Sequence, residues 1–251
     1  MTFQRRSASA WLADALVILA LALWAAGASR LPEFVLPGPL AVGRRMVELF
    51  IDPEFLVHTL ASTLRVLASV MLALLIGGGL ALAARTLPWL RGLIHGVLQP
   101  FLSAFPSIGW AILAAVWFQP SHASIIFVQT AILVPFCLIN VAEGLRQIDR
   151  ELIEMARSFS RRRHRIVWRV GLPLLMPYLL GALRIAYGVA WKIALVAELL
   201  GSTSGLGFLM LRAQGSADLV TVLAACLAIV ALFFAGERLL LDPLARRFTS
   251  R

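Results

Sequence analysis

From residue 11 to residue 28 the chain reads WLADALVILALALWAAGA, and runs of this kind recur along its whole length. A helix of about 20 apolar residues crosses a hydrocarbon core of roughly 30 Å, with its backbone polar groups bonded inside the segment. Six runs meet that measure, at about 11–28, 57–84, 92–118, 123–142, 172–200 and 219–241. Pro100 and Pro106 fall inside the third run and Pro135 inside the fourth. They are expected as kinks, which membrane helices tolerate because neighbouring groups re-satisfy the freed carbonyls. Composition agrees: 60% of residues are hydrophobic and 14% charged, with a mean hydropathy of +0.87. A soluble domain of this length needs more polar surface, usually nearer 25% charged residues. The expected fold is therefore an all-α polytopic membrane protein with six transmembrane helices.

The first run opens after Arg5 and Arg6 and ends on Ala26 and Ala28, the layout of a cleavable signal peptide. An uncleaved first helix keeps the topology of the five later spans consistent, and that reading is adopted. Counting the basic residues between spans then sets the orientation. With the N-terminus inside, 15 arginines fall in inner segments and 4 (Arg30, Arg44, Arg45 and Arg212) in outer ones. The positive-inside rule places both termini in the cytoplasm. The net charge of +10 is thus explained by topology and not by nucleic acid, because the arginines cluster between apolar spans and form no soluble basic face. Cys137 and Cys226 lie inside apolar runs without CxxC spacing and read as small packing residues.

The densest cluster, Arg146 to Arg169, lies in an inner segment at 143–171. Its first part reads as a short helix, with Asp149 able to cap the start and Glu151 in the first turn. Leu152, Met155, Ala156 and Phe159 then recur at i, i+3, i+4 and i+7, one apolar stripe on a cytoplasmic loop. That stripe has to be buried against the membrane surface, the protein's own helix ends or a partner protein. The arginines have three roles open to them: holding the loop inside, lying on anionic headgroups, or meeting an acidic partner surface.

This loop resembles the EAA loop of ABC importer permeases. Glu154-Met155-Ala156, three residues, Ser160, nine residues and then Val170-Gly171-Leu172-Pro173 follow its spacing. Two positions depart: Met155 replaces an alanine and Ser160 a glycine. A glycine there turns left-handed at no steric cost, whereas a serine is strained by on the order of 1 kcal/mol or caps the following helix. The similarity extends over nearly the whole chain and is nearest to the nitrate/sulfonate/taurine-type branch. It includes LPGP at 36–39, HTLASTLRV at 58–66, NVAEGLRQIDRELIEMA at 140–156 and AELLGSTSGLGFL at 197–209. After "WF", where that branch usually has glycine, this chain has Gln119.

The resemblance implies the type I importer permease fold as a single transmembrane domain over 1–251, in the bacterial inner membrane. It also implies an ATPase-coupling set of Glu154, Met155, Ala156, Phe159, Ser160 and Pro173. The implied partners are cytoplasmic ATPase subunits, which use ATP and Mg, a solute-binding protein, a second permease copy forming a homodimeric pathway, and membrane lipid.

The chain holds no motor of its own. A phosphate cradle of the G-x-x-x-x-G-K-S/T type needs a lysine behind glycines, and the single lysine, Lys192, stands in VAWKIAL. The triplet Gly77–Gly79 lies inside the second span and reads as close helix packing. His58, His95, His122 and His164 are dispersed, and GSTSG at 201–205 lacks the central serine of a nucleophile elbow. No cofactor of its own is expected for this chain.

Ionisable groups within spans are costly and are functional candidates by default. Arg65 lies about two turns into the second span, and Arg184, Lys192 and Glu198 lie in the fifth. Arg184 and Glu198 project within about 40° of each other at 3.6 residues per turn. One reading is a cationic path for a small anion such as a sulfonate, taurine or nitrate. The other is pairing or snorkelling that holds the bundle together. The expected function is the permease of an ATP-driven importer. The alternatives are an ion-coupled secondary transporter and an intramembrane enzyme.

Overall fold

The computed structural model describes residues 8–148, 150–159 and 162–249. Asp149 and Ser160, which the sequence marks as a cap and a turn, lie outside the described residues. All regular structure among the described residues is helical. Two compact units divide the chain: residues up to Leu56 with Leu209–Ala228, and Val57–Phe208 with Ile229 onward.

The first unit contains α1 (Ala8–Ala28) and α2 (Pro39–Ile51), together with the first residues of α3 (Pro53–Thr86). Apolar all round, α1 exposes Leu16, Ile18 and Leu23, as a helix facing lipid does. Amphipathic α2 buries Val42 and Leu49 and leaves Arg44 exposed, with Arg45 half-buried. Trp24 Nε1 donates to the Pro37 carbonyl at 2.9 Å, fixing the turn between the two helices. Arg45 Nε donates to Thr221 Oγ1 at 2.9 Å, and Arg212 donates to Glu54 at 2.7 Å.

The second unit carries the rest of α3, α4 (Pro88–Ala104), α5 (Ser107–Phe118), α6 (His122–Gln147), α7 (Arg150–Phe159) and α8 (His164–Gly201). Short α9 (Leu206–Gly215) falls mostly in the first unit, and α10 (Leu219–Arg247) belongs to the first unit up to Ala228 and to the second from Ile229. The apolar window of α6 is 61% buried, against 33%, 11% and 17% for α3, α8 and α10. α6 is therefore the central strut, and the others turn much of their apolar surface outward. On α8, Ala182, Ala186, Ala190 and Ala194 recur every fourth residue and are buried, a small-residue stripe of the kind that lets membrane helices pack closely.

α3, α6, α8 and α10 are long and apolar enough to cross a membrane, and the bent pair α4–α5 makes a fifth if it is one span. The apolar part of α1, Asp14–Ala28, is shorter. The run expected as the third span bends sharply at one of its prolines. Residues 92–118 do not form one kinked helix: α4 and α5 meet at 87°. Phe105 and Pro106 are both extended there, because the proline ring excludes the residue before it from the helical region and removes an amide donor.

Other prolines are absorbed differently. π-helical turns occupy Ile94–Leu98, Val167–Gly171 and Glu237–Leu241. Each lies immediately upstream of a proline, respectively Pro100, Pro173 and Pro243. A proline clashes with the carbonyl four residues back, and a widened turn accommodates that clash without ending the helix. Pro173 thus sits within a continuous helix, and α8 begins well before the expected boundary at 172.

Of the three glycines at 77–79, one makes the close contact expected. A Cβ on Gly77 would meet the Val134 carbonyl at 2.7 Å and Cys137 Cβ at 2.8 Å, while one on Gly79 meets nothing within 4 Å. Gln119, the residue standing where glycine was expected from the resemblance, has φ 54° and ψ 176°. That conformation belongs almost wholly to glycine and costs other residues on the order of 1–3 kcal/mol. Gln119→Gly is therefore expected to raise the thermal unfolding midpoint in detergent. Gly77→Ala lowers it through overpacking of roughly 1–3 kcal/mol, and Gly79→Ala does not.

Candidate functional site

Two arrangements in the second unit carry the chemistry. The first is a buried ion pair. Arg65 on α3 and Glu198 on α8 meet at 2.9 Å with side chains 3% and 1% exposed. Burying two charges costs several kcal/mol each unless every remaining donor and acceptor is met, and here they are met from several segments. Arg65 Nε donates to His122 Nδ1 at 3.0 Å, and Nη1 also donates to the Ser204 carbonyl at 2.8 Å. Glu198 accepts from Ser62 Oγ at 2.8 Å and from the Gly207 amide at 3.0 Å. Ser62 Oγ in turn accepts from the Leu206 amide, and the Gly205 amide donates to His58 Nδ1 at 2.8 Å.

The loop after α8 is closed by this pair, and its glycines are required for that. Gly205 has φ +111°, and a Cβ there would stand 2.4 Å from the Glu198 carboxyl carbon. At Gly207 a Cβ would meet Glu198 Cβ and the Leu195 carbonyl, each at 2.7 Å. The segment GSTSGLGFL thus owes its spacing to one carboxylate. Nothing in the chain order pointed to His58, Ser62 or His122 as its partners. Helical spacing on α3 was the available signal, since His58, Ser62 and Arg65 follow at i, i+4 and i+7.

Arg184 and Glu198 share a face of α8 but not a cluster. Fourteen residues at 1.5 Å each place them about 21 Å apart along the axis. Arg184 pairs instead with Glu237 at 3.3 Å and with Asp242, both on α10, and is half exposed. Lys192 is exposed on α8 and makes no ion pair among the described residues.

The second arrangement is the hairpin formed by α7 and the start of α8. Leu152, Met155 and Ala156 face Ile166, Val170 and Pro173 across a groove of about 600 Å³, with Arg165 and Arg169 also lining it. Of the three burial sites open to the stripe, the helix's own neighbour takes part of it. Leu152 remains 39% and Met155 56% exposed, so the groove is half filled. Glu154 is exposed, does not line the groove and makes no ion pair among the described residues. Phe159 is the last residue of α7. Among the described residues no group of three or more His, Cys, Asp or Glu could hold a metal ion.

Among the described residues the chain is all helical, turns much apolar surface outward and carries a half-open amphipathic hairpin, the features of a helical membrane protein. The chain belongs to the family described as binding-protein-dependent transport system inner membrane component, which it matches over residues 55–249. It is 29% identical to the taurine transport system permease protein of Escherichia coli over 220 residues, covering 85% of this chain and 79% of that one. It is 30% identical to a putative aliphatic sulfonates transport permease protein of Bacillus subtilis, over 79% of this chain and 71% of that one. It is 34% identical to the riboflavin transport system permease protein of Chloroflexus aurantiacus, over 86% and 82%. The chain is thus the inner-membrane, non-catalytic permease of an ABC importer, which works with an ATPase and a binding protein. Membership sets aside the ion-driven carrier and the intramembrane enzyme.

Removing one member of the buried pair leaves the other uncompensated, a loss of about 3–5 kcal/mol. Arg65→Ala and Glu198→Ala are each expected to abolish the monodisperse peak in detergent gel filtration. The double change Arg65→Met with Glu198→Leu restores much of it, because apolar replacement of a whole buried pair is close to neutral. A double variant as unstable as the singles would show that the surrounding hydrogen bonds, and not the charges, dominate.

Proposed function

We propose that the permease carries a small anion bearing a sulfonate or similar group, and that α7 is the element through which an ATPase moves the bundle. The observation that carries the second part is the half-filled groove beside α7. An apolar stripe with Leu152 and Met155 still exposed, flanked by the exposed carboxylate of Glu154, is incomplete without a partner. Ala156 is small enough for close approach, Phe159 holds the i+7 position of the sequence pattern, and Pro173 with its π turn keeps α8 continuous from the groove into the span. Ser160 completes the motif spacing. A displacement of α7 is thereby passed along one rigid helix, which shifts the population between inward- and outward-open states.

The topology that fits has six spans, with α1 as the first and α4–α5 together as the third, and both termini in the cytoplasm. It agrees with the arginine count between spans. The pathway is a homodimer's. α8 leaves Ile185, Lys192, Val196 and Leu200 exposed along one side, a face suited to a second copy, with Lys192 as a cation toward an anionic solute. Arg65, Arg184 and Glu198 act around that path by holding its walls. The taurine and aliphatic sulfonate names of two relatives support the anion. The riboflavin relative favours a second, uncharged solute class.

Uptake of radiolabelled taurine by cells carrying the permease, its ATPase and its binding protein tests both parts. Glu154→Arg is expected to abolish uptake with membrane insertion unchanged, and a cysteine at Met155 crosslinks to the ATPase. Normal uptake by the Glu154→Arg variant, or crosslinks to lipid only, refutes the coupling role. Riboflavin uptake without taurine uptake refutes the anion.

A further inference from the structure

A cleft of about 870 Å³ opens where the end of α3, the start of α4 and the end of α6 come together. Its polar lining is basic or neutral: Arg85, Arg91, Arg146, His95 and Gln99. No acidic side chain lines it. Glu143, one turn before Arg146, engages Arg146 at 3.5 Å and Gln147 at 3.0 Å from outside the lining. Arg85 donates to the Leu145 carbonyl at the end of α6, which holds the guanidinium over the cleft floor. His95 Nδ1 and Gln99 Oε1 lie 2.8 Å apart. Arg91 has no ion pair or hydrogen bond among the described residues.

The helical register explains the convergence. Arg91, His95 and Gln99 are spaced by four, and in a regular α-helix each such step drifts by about 40°. The π turn at Ile94–Leu98 widens the helix through this stretch, and its slower rotation removes most of that drift. Three side chains are thereby aligned on the inner face of α4. The outer face is apolar, with Trp89 74%, Leu93 54% and Val97 60% exposed. A tryptophan so placed suits the headgroup level of a bilayer.

We propose that this cleft binds a tetrahedral oxyanion, of the phosphate or sulfonate class. Guanidinium groups present planar, always-charged donors that match such oxygens in pairs, and three of them border a space large enough for a headgroup. Two sources supply this chemistry: the headgroup of an anionic phospholipid lying along α4, and a free oxyanion in solution on the side of the membrane that carries α7. The cleft's cytoplasmic location rests on the topology proposed above, but its ligand does not. Neither uptake nor the ATPase enters the test, so failure of the coupling role and failure of this site are separable.

The full-length permease is purified in detergent as wild type, as Arg91→Gln, as the triple Arg85→Gln, Arg91→Gln, Arg146→Gln, and as the charge-matched control Arg30→Gln. Native mass spectrometry reads phosphatidylglycerol retained in competition with phosphatidylcholine. Equilibrium dialysis of lipid-stripped protein reads binding of inorganic phosphate and of taurine. Charge-assisted bonds are worth enough that Arg91→Gln weakens the responsible ligand by about tenfold, with a larger loss in the triple variant and none in Arg30→Gln. Loss confined to phosphatidylglycerol identifies the lipid source, and loss confined to phosphate or taurine identifies the dissolved one. Binding of all three probes equal in Arg91→Gln and Arg30→Gln overturns the proposal. Arg91→Gln removes no bond within the described fold, so this comparison stands even if the triple variant misfolds.

Discussion

The Arg65–Glu198 pair organises the second unit because neither charge tolerates burial without the other. Each must be surrounded by polar groups, and those groups come from far apart in sequence: Ser62 and Arg65 on α3, His122 at the start of α6, and the loop from Ser202 to Gly207. α3, α6 and α8 are thereby registered along their length, which apolar packing in lipid does poorly. Lipid tails are as apolar as leucine, so small-residue stripes such as Ala182 to Ala194 set how closely helices approach. Sliding by one turn keeps much of that packing, whereas it would break the ion pair outright.

Prolines shape the rest of the second unit, and their effect depends on context: Pro135 and Pro177 sit inside continuous helices with no widened turn before them. Where a widened turn precedes the ring, as before Pro100, Pro173 and Pro243, the helix continues. At Phe105–Pro106 no such turn exists and the path bends by 87°. α8 likewise carries a proline beside the α7 groove and still runs unbroken to Gly201. At α4 the same device turns a run of three polar residues toward one cleft. Strain appears at Gln119, whose backbone takes a conformation that glycine would adopt freely.

Much of this was legible in the residues. Apolar length marked α3, α6, α8 and α10 as spans, because hydrocarbon thickness acts on any helix in the same way. The i, i+3, i+4, i+7 stripe located α7. The missing glycine at 119 was visible as a departure before its φ was known. Apolar run length could not reveal the break at 105–106, since leucine and phenylalanine continue on both sides of it. Nor did shared helical face make Arg184 and Glu198 partners, because angular position is periodic and axial distance is not.

Sequence alone determined the solvent this chain requires, its helical class, the lack of a nucleotide cradle, and the family whose loop it carries. These follow from local composition and short-range spacing, which act within a few turns of helix. Tertiary structure decided which charges met: Arg65 with Glu198, Arg184 with Glu237 and Asp242, and three arginines around one cleft. Such pairings depend on helix order, axial register and the turn widths imposed by prolines. Those are settled by the fold as a whole, in which the buried pair finds its partners on segments far apart in sequence.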